Sequence, residues 1–396
     1  MADAPALIRK CVHCGFCNAT CPTYVLTGDE LDSPRGRIWL MKDMLETPDA
    51  PPSARAARHL DRCLTCLSCT TTCPSGVDYA QLIDTARTHV EAHRPWHQRL
   101  GRRALTALLS RRRLFRLALH LGRLARPLAP LLPARVQTML AQVPARVPAA
   151  GLAERHDPPA PGKPAGRVIL HLGCVQPALR PAIDDAAVRL LQRRGLAVTI
   201  TRDAGCCGAL HQHLGQAEAA ARRQSATLAE WRAAIARAGP VDAILSTTSG
   251  CGNVMKGWDD PLAAQVRDIS EFLATLPPLP ARIAPGITVA WHNPCSLQHG
   301  QRSTAARALL VQAGFAVRDI AEPHICCGSA GTYALLQPQL SGELKARKQA
   351  HIADTGAAIL ASSNIGCLNQ LASPDWQALH VAQLLDWASG GPDPRR

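Results

Sequence analysis

The chain has 396 residues, of which 47% are hydrophobic but only 4% aromatic, and its formal net charge is +14. At roughly 150 residues per domain this length predicts two or three domains, and the scarcity of aromatic residues favours helices over an aromatic-rich β-sandwich. No run of about 18 apolar residues and no secretory signal after Met1 are visible, which excludes a membrane-spanning helix and leads us to expect a cytoplasmic protein.

Sixteen cysteines are the main chemical feature of the sequence. Eight lie before residue 75 and eight after residue 173, so the middle of the chain has none. Cytosolic thiol buffers keep cysteines reduced, and in that compartment closely spaced cysteines indicate metal binding rather than disulfides. We therefore interpret them as metal ligands.

Residues 1–92 contain two copies of the motif C-x2-C-x2-C-x3-C-P. The copies comprise Cys11, Cys14, Cys17 and Cys21, followed by Pro22, and Cys63, Cys66, Cys69 and Cys73, followed by Pro74. This is the spacing of bacterial ferredoxins, in which three closely spaced thiolates bind one 4Fe-4S cluster and the fourth binds the other cluster. A zinc ribbon explains the paired cysteines but neither the third cysteine nor the proline. We therefore predict two 4Fe-4S clusters here.

The fourth cysteine of each motif decides how the ligands are divided. In the ferredoxin pattern this cysteine completes the cluster of the other motif. The prediction is that cluster 1 is bound by Cys11, Cys14, Cys17 and Cys73, and cluster 2 by Cys63, Cys66, Cys69 and Cys21. Sequence order and spatial grouping should therefore disagree.

The segment between the two motifs reads as a helix, with Ser33 as its N-cap and Pro34 at the first helical position. A second helix is expected from about Tyr79 to Ala92, after the second motif. The long helical spacer predicts a helical two-cluster ferredoxin domain rather than the compact β-rich form.

Four basic side chains flank the motifs. His13 and His59 are interpreted as solvated or hydrogen-bonded histidines, because the cysteine sets are complete without them. Arg35 and Arg37 are interpreted as a solvated face, although positive charge near a cluster would raise its reduction potential.

Residues 93–165 are predicted to form an arginine-rich helical connector that ends in a proline-rich linker at 157–164. From Arg94 to Arg146 there are twelve arginines and no acidic residue, with leucines at an approximately helical spacing. We expect amphipathic helices that dock a partner subunit or an anionic membrane surface, with a solvated face as the alternative. Nucleic acid is disfavoured as a partner, because the segment has no aromatic residues for stacking on bases other than Trp96 and Phe115.

Residues 166–283 and 284–396 look like two copies of one unit. The segment 168–174 matches 289–295, the Cys-Cys-Gly triplet at 206–208 matches the one at 326–328, and Cys251 matches Cys367. Short apolar runs alternate with long alanine-rich segments, which predicts a small α/β unit with buried parallel strands in each copy. The overall fold class expected is therefore α/β and helix-rich.

Each copy contains four thiols near the ends of its predicted strands. The two sets are Cys174, Cys206, Cys207 and Cys251, and Cys295, Cys326, Cys327 and Cys367. Adjacent cysteines must lie in a turn, for which Gly208 and Gly328 supply the conformational freedom. Each set is a candidate ligand set for a further cluster, and the alternatives are inert buried cysteines or redox-active vicinal thiols.

Several segments together resemble a known family. They are CVHCGFCNATCPTY from Cys11 to Tyr24, GDELDSPRGRI from Gly28 to Ile38, LDRCLTC from Leu60 to Cys66 and TCPSGVDY from Thr72 to Tyr79. These are similar to the iron-sulfur subunit of bacterial glycolate oxidase. The duplicated halves resemble the cysteine-rich domain of heterodisulfide reductase, anaerobic glycerol-3-phosphate dehydrogenase and lactate-utilisation proteins. The fullest form of that domain has a further cysteine where Thr248 and Asn364 stand here, which disfavours a five-cysteine, non-cubane cluster.

The resemblance implies a glycolate dehydrogenase subunit that passes electrons from FAD-binding partner subunits to a quinone-type acceptor. It also implies a cytoplasmic protein with a peripheral contact at the inner face of the cell membrane. FAD is expected on the partners only, because no G-x-G-x-x-G fingerprint follows a strand here. No catalytic residue for the hydroxy acid is predicted in this chain. The alternatives are a reductase subunit that uses the Cys-Cys-Gly thiols or clusters, as in heterodisulfide reductase or in glycerol-3-phosphate or lactate oxidation, and a zinc-stabilised scaffold.

Overall fold

A computed structural model describes residues 4–47, 50–132, 134–141, 143–155, 162–202, 205–283 and 286–395. Along the chain, a helical section is followed by a helical connector and then by two units that each contain a parallel sheet. The predicted helix-rich α/β fold class is confirmed. The domain boundaries at 92/93, 165/166 and 283/284 stay predictions.

The first section is helical, as its spacer predicted. Its helices are α1 (Ala4–Arg9), α2 (Phe16–Ala19), α3 (Pro22–Thr27), α4 (Pro34–Glu46), α5 (Ala54–Asp61), α6 (Ser68–Thr72) and α7 (Tyr79–Ala92), with a 3-10 turn at Glu30–Asp32. The Ser33 hydroxyl accepts a hydrogen bond from the backbone N–H of Gly36 at 2.9 Å, so it caps α4 as expected. Met41, Leu60 and Leu82 are fully buried between these helices and form their core.

The connector is also helical. Its elements are α8 (Trp96–Ser110), α9 (Arg112–Ala125), a 3-10 turn at Arg126–Leu131, α10 (Ala134–Ala141) and α11 (Leu152–Arg155). Phe115 and Leu119 on α9 are buried against Val147 and Ala178. Positions 157–161 of the predicted linker lie outside the described residues. Across the described parts of the chain, no helix combines the length and apolarity needed to cross a membrane.

Two arginines of the connector are paired with acidic residues, although the connector itself contains no acid up to Arg146. Arg94 and Arg102 both form ion pairs with Asp61 and Glu91, at N–O distances from 2.6 to 3.5 Å. These acids lie in the first section, so the absence of acids within the segment did not reveal the pairing. At these two positions the expectation of unpaired cations is wrong.

Two four-stranded sheets with the same topology follow. The first has the strand order β2-β1-β3-β4 and the second β6-β5-β7-β8, and every pairing between strands is parallel. The strands are β1 (Gly166–His171), β2 (Leu196–Thr201), β3 (Ala243–Ser246), β4 (Val266–Asp268), β5 (Thr288–Trp291), β6 (Ala316–Asp319), β7 (Ile359–Ser362) and β8 (Gln377–His380). This repetition matches the duplication seen in the sequence.

Helices cover both sheets. They are α12 (Gln176–Leu179), α13 (Ala182–Arg193), α14 (Ala209–His213), α15 (Ala217–Ala238), α16 (Ser249–Lys256), α17 (Ile269–Leu273), α18 (Ala305–Gln312), α19 (Tyr333–Leu336), α20 (Pro338–Ala353), α21 (Ile365–Gln370) and α22 (Val381–Ala388), with a 3-10 turn at Pro261–Gln265 and a π-helical turn at Ser296–Gly300. The two repeats share one hydrophobic core, to which α13 contributes Leu191 and α22 contributes Leu384. Arg189 also donates to the buried carboxylate of Asp386 at 2.6 Å. The repeats therefore form a joined pair.

Candidate metal centres

Cys73 lies in the same cavity as the first three cysteines of the other motif. The cavity is lined by Cys11, Cys14, Cys17, Cys69 and Cys73, together with Arg35 and Tyr79. Burial raises the pKa of Cys17 to about 11. Metal ligation requires the thiolate, so a bound cation is what would make this buried sulfur anionic.

Cys21 lines a second cavity with the cysteines of the distant motif. Its lining includes Cys21, Cys63, Cys66 and Cys69, with Arg37, Thr65 and Leu67. Cys69 borders both cavities. Burial raises the pKa of Cys66 and of Cys69 well above the usual range. These placements fit the crossed division of ligands. That the cysteines bind clusters in this way stays a prediction.

Both motifs use the same unusual backbone to turn their sulfurs inward. His13 and Thr65, the residues before the second cysteine of each motif, have φ values of 54° and 53°. The residues after that cysteine, Gly15 and Leu67, have φ values of 84° and 61°. Left-handed backbone is strained for residues other than glycine and is concentrated at functional sites. The duplicated conformation therefore indicates that both loops are shaped for the same ligand.

Arg37 does not lie on the solvated face that the sequence predicted. Its side chain is 1% exposed, so the predicted solvated face is wrong at this position. Its guanidinium donates to the sulfur of Cys21 at 3.8 Å and to the hydroxyl of Thr23 at 3.0 Å. A buried positive charge beside a ligand sulfur favours the more negative, reduced state of a cluster.

A buried carboxylate supports Arg37. Asp32 is fully buried, and its oxygens lie 2.7 Å from the ring of His59 and 2.7 Å from the guanidinium of Arg62. Arg37 contacts the same carboxylate at 3.5 Å and donates to the backbone carbonyl of His59 at 2.7 Å. His59 is therefore a hydrogen-bonded histidine, as expected. This network fixes Arg37 against Cys21.

The four thiols of the second repeat lie together at the carboxyl ends of their strands. The sulfur of Cys295 is 4.0 Å from that of Cys326, and Cys327 donates to Cys367 across 3.4 Å. Gly328 holds the turn after the adjacent cysteines with a φ of 85°, and a Cβ there would lie 2.8 Å from a backbone oxygen of α20. A glycine is thus required at this turn.

The thiols of the first repeat also pair. Hydrogen bonding with Cys206 raises the pKa of Cys174 well above the usual range, and hydrogen bonding with Cys251 does the same for Cys207. The bond from Cys174, followed by one from His211, lowers the pKa of Cys206 well below the usual range. Gly208 has a φ of 81°, matching its counterpart in the second repeat. Whether either set binds a cluster stays a prediction.

The second cavity adjoins the second repeat. Leu64 and Cys66 belong to the same buried cluster as Cys326 and Cys327. The ferredoxin section therefore places its second thiol set next to the thiols of one repeat.

Comparisons with known proteins follow the same division of the chain. A family model described as a 4Fe-4S dicluster domain matches residues 7–77, and one described as a cysteine-rich domain matches residues 168–256 and 289–372. The glycolate oxidase iron-sulfur subunit of Escherichia coli is 39% identical over 387 residues, which cover 94% of this chain and 91% of that protein. The chain belongs to the family of glycolate oxidase iron-sulfur subunits. The resemblance noted in the sequence is thereby confirmed.

Other proteins are similar to this chain at lower identity. The probable glycolate oxidase iron-sulfur subunit of Bacillus subtilis is 30% identical over 97% of this chain and 94% of its own length. Lactate utilization protein A of Oceanobacillus iheyensis is 22% identical over 56% of this chain and 96% of its own length. A crystal structure of a hypothetical protein from Helicobacter pylori aligns with a TM-score of 0.58 at 9% identity, covering 92% of this chain and 69% of that one, which is a likeness of fold. Because the chain belongs to this family, it is an iron-sulfur protein with an electron-transfer role in an oxidoreductase.

Proposed function

We propose that this glycolate oxidase iron-sulfur subunit takes electrons from FAD on partner subunits, where glycolate is oxidised to glyoxylate, and delivers them to a quinone-type acceptor. The observation that carries the proposal is that Leu64 and Cys66, which line the second cavity, belong to the same buried cluster as Cys326 and Cys327 of the second repeat. Electron carriers need redox groups placed in series. Two 4Fe-4S clusters in the first section (residues 1–92, the ferredoxin section), followed by the four thiols of the second repeat (the second Cys-Cys-Gly set), would provide such a series.

The partner interaction and the substrate are tested together. Co-expressed with its flavoprotein partners and purified anaerobically, the chain should carry about eight irons from the two ferredoxin-type 4Fe-4S clusters, and more if the Cys-Cys-Gly thiols also hold a cluster. Glycolate should then reduce both the flavin and the clusters. Lactate serves as the comparison substrate, because a relative named for lactate utilization aligns with 56% of this chain.

A cluster-deficient variant separates the steps. In a Cys66→Ser complex we expect glycolate to reduce the flavin while electron delivery to a quinone analogue falls to background. A wild-type chain that is reduced by glycolate without any flavoprotein would contradict the proposed division of labour. So would a Cys66→Ser complex that reduces the quinone analogue at the wild-type rate.

A membrane-facing surface on the connector completes the proposal. Exposed leucines follow one side of α9 and the turn after it, at positions 114, 117, 121, 124, 128 and 131. Leu124 is 75% exposed, and Arg113, Arg123 and Arg126 are exposed beside this stripe. An apolar stripe flanked by cations is typical of helices that lie at the surface of anionic membranes. This surface would bring the chain to a membrane-bound quinone.

Vesicle flotation tests this surface. We expect the complex to float with phosphatidylserine-containing vesicles at low salt and to detach at high salt. Replacing Arg123 and Arg126 with glutamine should weaken binding roughly thirtyfold, since each basic residue contributes about 1 kcal/mol at such a surface. Val311→Ser changes an exposed apolar residue on α18 and is the matched control. Equal flotation with uncharged phosphatidylcholine vesicles would contradict the electrostatic part.

A further inference from the structure

The two cysteine loops of the ferredoxin section have the same shape but different surroundings. The first loop comprises residues 11–17 and the second residues 63–69, and both use left-handed backbone on either side of their second cysteine. Every cysteine of the second loop is buried, whereas Cys14 of the first loop is exposed and the other two cysteines of that loop are partly buried. One loop is therefore covered by other parts of the chain and the other faces outward.

The side chains between the cysteines differ in the same way. In the first loop, Val12 is 68% exposed and Phe16 is 65% exposed. The residues at the corresponding positions of the second loop, Leu64 and Ser68, are 6% and 1% exposed. Large apolar side chains gain free energy when they leave water, and exposed apolar patches mark interaction sites. The first loop thus presents an apolar surface where the second is buried.

The second loop shows what covers a surface of this kind. Leu64 belongs to the same buried cluster as Cys326 and Cys327 of the second repeat. Thr71, on the helix that follows the second loop, is hydrogen-bonded to the ring of His299 in the second repeat at 2.8 Å. A domain that carries its own set of thiols therefore packs on the second loop. The equivalent side of the first loop is open.

Helix α4 extends the open surface. Trp39 is exposed and lies one helical turn after Arg35, whose guanidinium donates to the backbone carbonyl of His13 at 3.1 Å. Within the described part of the ferredoxin section, the exposed large hydrophobic side chains are Val12, Phe16 and Trp39. We call these three side chains the loop-1 face. Aromatic residues are enriched at the centres of protein interfaces.

The loop-1 face borders the cavity of cluster 1. Val12 itself lines that cavity, and Phe16 and Trp39 each follow directly after a residue that lines it. Cluster 2, in contrast, is predicted in the cavity beside the second repeat. A redox partner at the loop-1 face would therefore reach cluster 1 first, and the second repeat would be reached through cluster 2.

The charge around the face selects the kind of partner. Arg9 and Lys10 are exposed and immediately precede Cys11, and the whole chain has a net charge of +14. A second copy of the chain would bring like charges together, which costs free energy at an interface. A partner with an acidic surface would be attracted instead. The occupant that fits is therefore an acidic protein that exchanges electrons.

We propose that the flavin-carrying partner subunit docks on the loop-1 face through an acidic rim, so that electrons enter the chain at cluster 1. This rests on the proposed function, which supplies the flavin as electron donor. One reduced FAD gives up two electrons, whereas a 4Fe-4S cluster takes one at a time. The two electrons therefore pass through cluster 1 in succession, the first moves on to cluster 2 before the second arrives, and the protons of the reduced flavin go to water.

The affinity of the full, cluster-loaded chain for the FAD-binding subunits tests the docking surface. We expect Trp39→Ser and Phe16→Ser each to raise the Kd about thirtyfold, as removal of a central aromatic residue does at other interfaces. Iron content and the signals of the dithionite-reduced clusters should stay at wild-type values. Ser68 occupies the position equivalent to Phe16 in the second loop, so serine is compatible with the loop.

Two further variants complete the test. Trp96→Ser removes an exposed tryptophan from α8 of the connector and is the matched control, for which we expect an unchanged Kd. Arg9→Gln combined with Lys10→Gln should slow association with the FAD-binding subunits roughly tenfold at low salt and hardly at all at high salt. Trp39 lies outside the cysteine loop, so its variant decides the question even if Phe16→Ser loses iron.

The outcomes separate the docking surface from the proposed function. An unchanged Kd in Trp39→Ser would overturn the docking surface, whereas glycolate-dependent reduction of the wild-type clusters through the flavin would still support the proposed function. A raised Kd in Trp39→Ser, with wild-type clusters that glycolate and the FAD-binding subunits fail to reduce, would support the surface and contradict the proposed function.

Two other results would assign the loop-1 face to a different occupant. Loss of self-association in Trp39→Ser at an unchanged Kd for the FAD-binding subunits would identify a second copy of the chain. Slower reduction of a quinone analogue by the dithionite-reduced Trp39→Ser chain, again at an unchanged Kd, would identify the electron acceptor. Either result would overturn the proposal. A wild-type chain that forms no complex with the FAD-binding subunits would overturn both the docking surface and the proposed function.

Discussion

Replacing Cys21 with serine is expected to abolish cluster 2 and to leave cluster 1 in place. Cys21 belongs by sequence to the first motif, yet it lines the cavity that contains Cys63 and Cys66. A 4Fe-4S cluster normally takes four thiolates, so removal of this sulfur should cost that site its cluster and about four irons per chain.

Alkylation under anaerobic conditions shows which thiols lose their metal. In Cys21→Ser we expect Cys63 and Cys66 to become reactive toward iodoacetamide while Cys11 and Cys14 stay protected. Cys73→Ser is the matched variant, and it should give the reverse pattern because Cys73 lines the other cavity. If Cys21→Ser instead exposed Cys11 and Cys14, each motif would bind its own cluster and the crossed division would be wrong.

Crossed ligation also links metal binding to folding. Each cavity draws sulfurs from loops on either side of the long segment that carries α4 and α5. Neither ligand set is complete until both loops are in place, so metal affinity contributes to the folding free energy of the whole section. Both single variants should therefore lower the thermal stability of the ferredoxin section, in addition to losing one cluster each.

Local sequence signals predicted the elements that local physics determines. Ser33 and Pro34 marked the start of α4, and apolar runs marked the buried strands, because caps and burial patterns act over a few residues. The cysteine motifs predicted a two-cluster section for the same reason, since three of the four sulfurs in each motif come from one short loop. The left-handed backbone of Thr65 and Leu67 had no such signal. Neither residue type favours that conformation.

Contacts between distant segments could not be predicted from the sequence. Arg37 reaches Cys21 because the chain from α3 to α4 folds back through the buried Asp32. A ring nitrogen of His292 lies within 4.8 Å of the sulfur of Cys327 because two strands are neighbours in the sheet order. A charged side chain or a histidine near a motif can be exposed, hydrogen-bonded or buried beside the cysteines. Its environment is determined by packing across the sheet or between helices.

Arg37→Gln is expected to lower the midpoint potential of cluster 2 and to destabilise the ferredoxin section. Loss of the positive charge beside Cys21 disfavours the reduced cluster, and a tenfold change in a one-electron equilibrium corresponds to about 59 mV. We expect a fall of at least that size, measured by redox titration of the cluster signal. Breaking a buried ionic contact with Asp32 should also cost about 3 kcal/mol of stability.

Arg35→Gln is the matched control, because Arg35 lies on the same helix but is one-third exposed and forms an ion pair with Glu30 at 2.8 Å. Its guanidinium donates to the carbonyl of His13, near the other cavity, at 3.1 Å. Solvent screens this charge, so its removal should shift the potential of cluster 1 slightly and that of cluster 2 hardly at all. Arg37→Lys retains a positive charge and should restore much of the potential without restoring all of the hydrogen bonds. If Arg37→Gln lowered stability but left both potentials unchanged, Arg37 would be a packing residue, and the potential of cluster 2 would be set by other groups around its sulfurs.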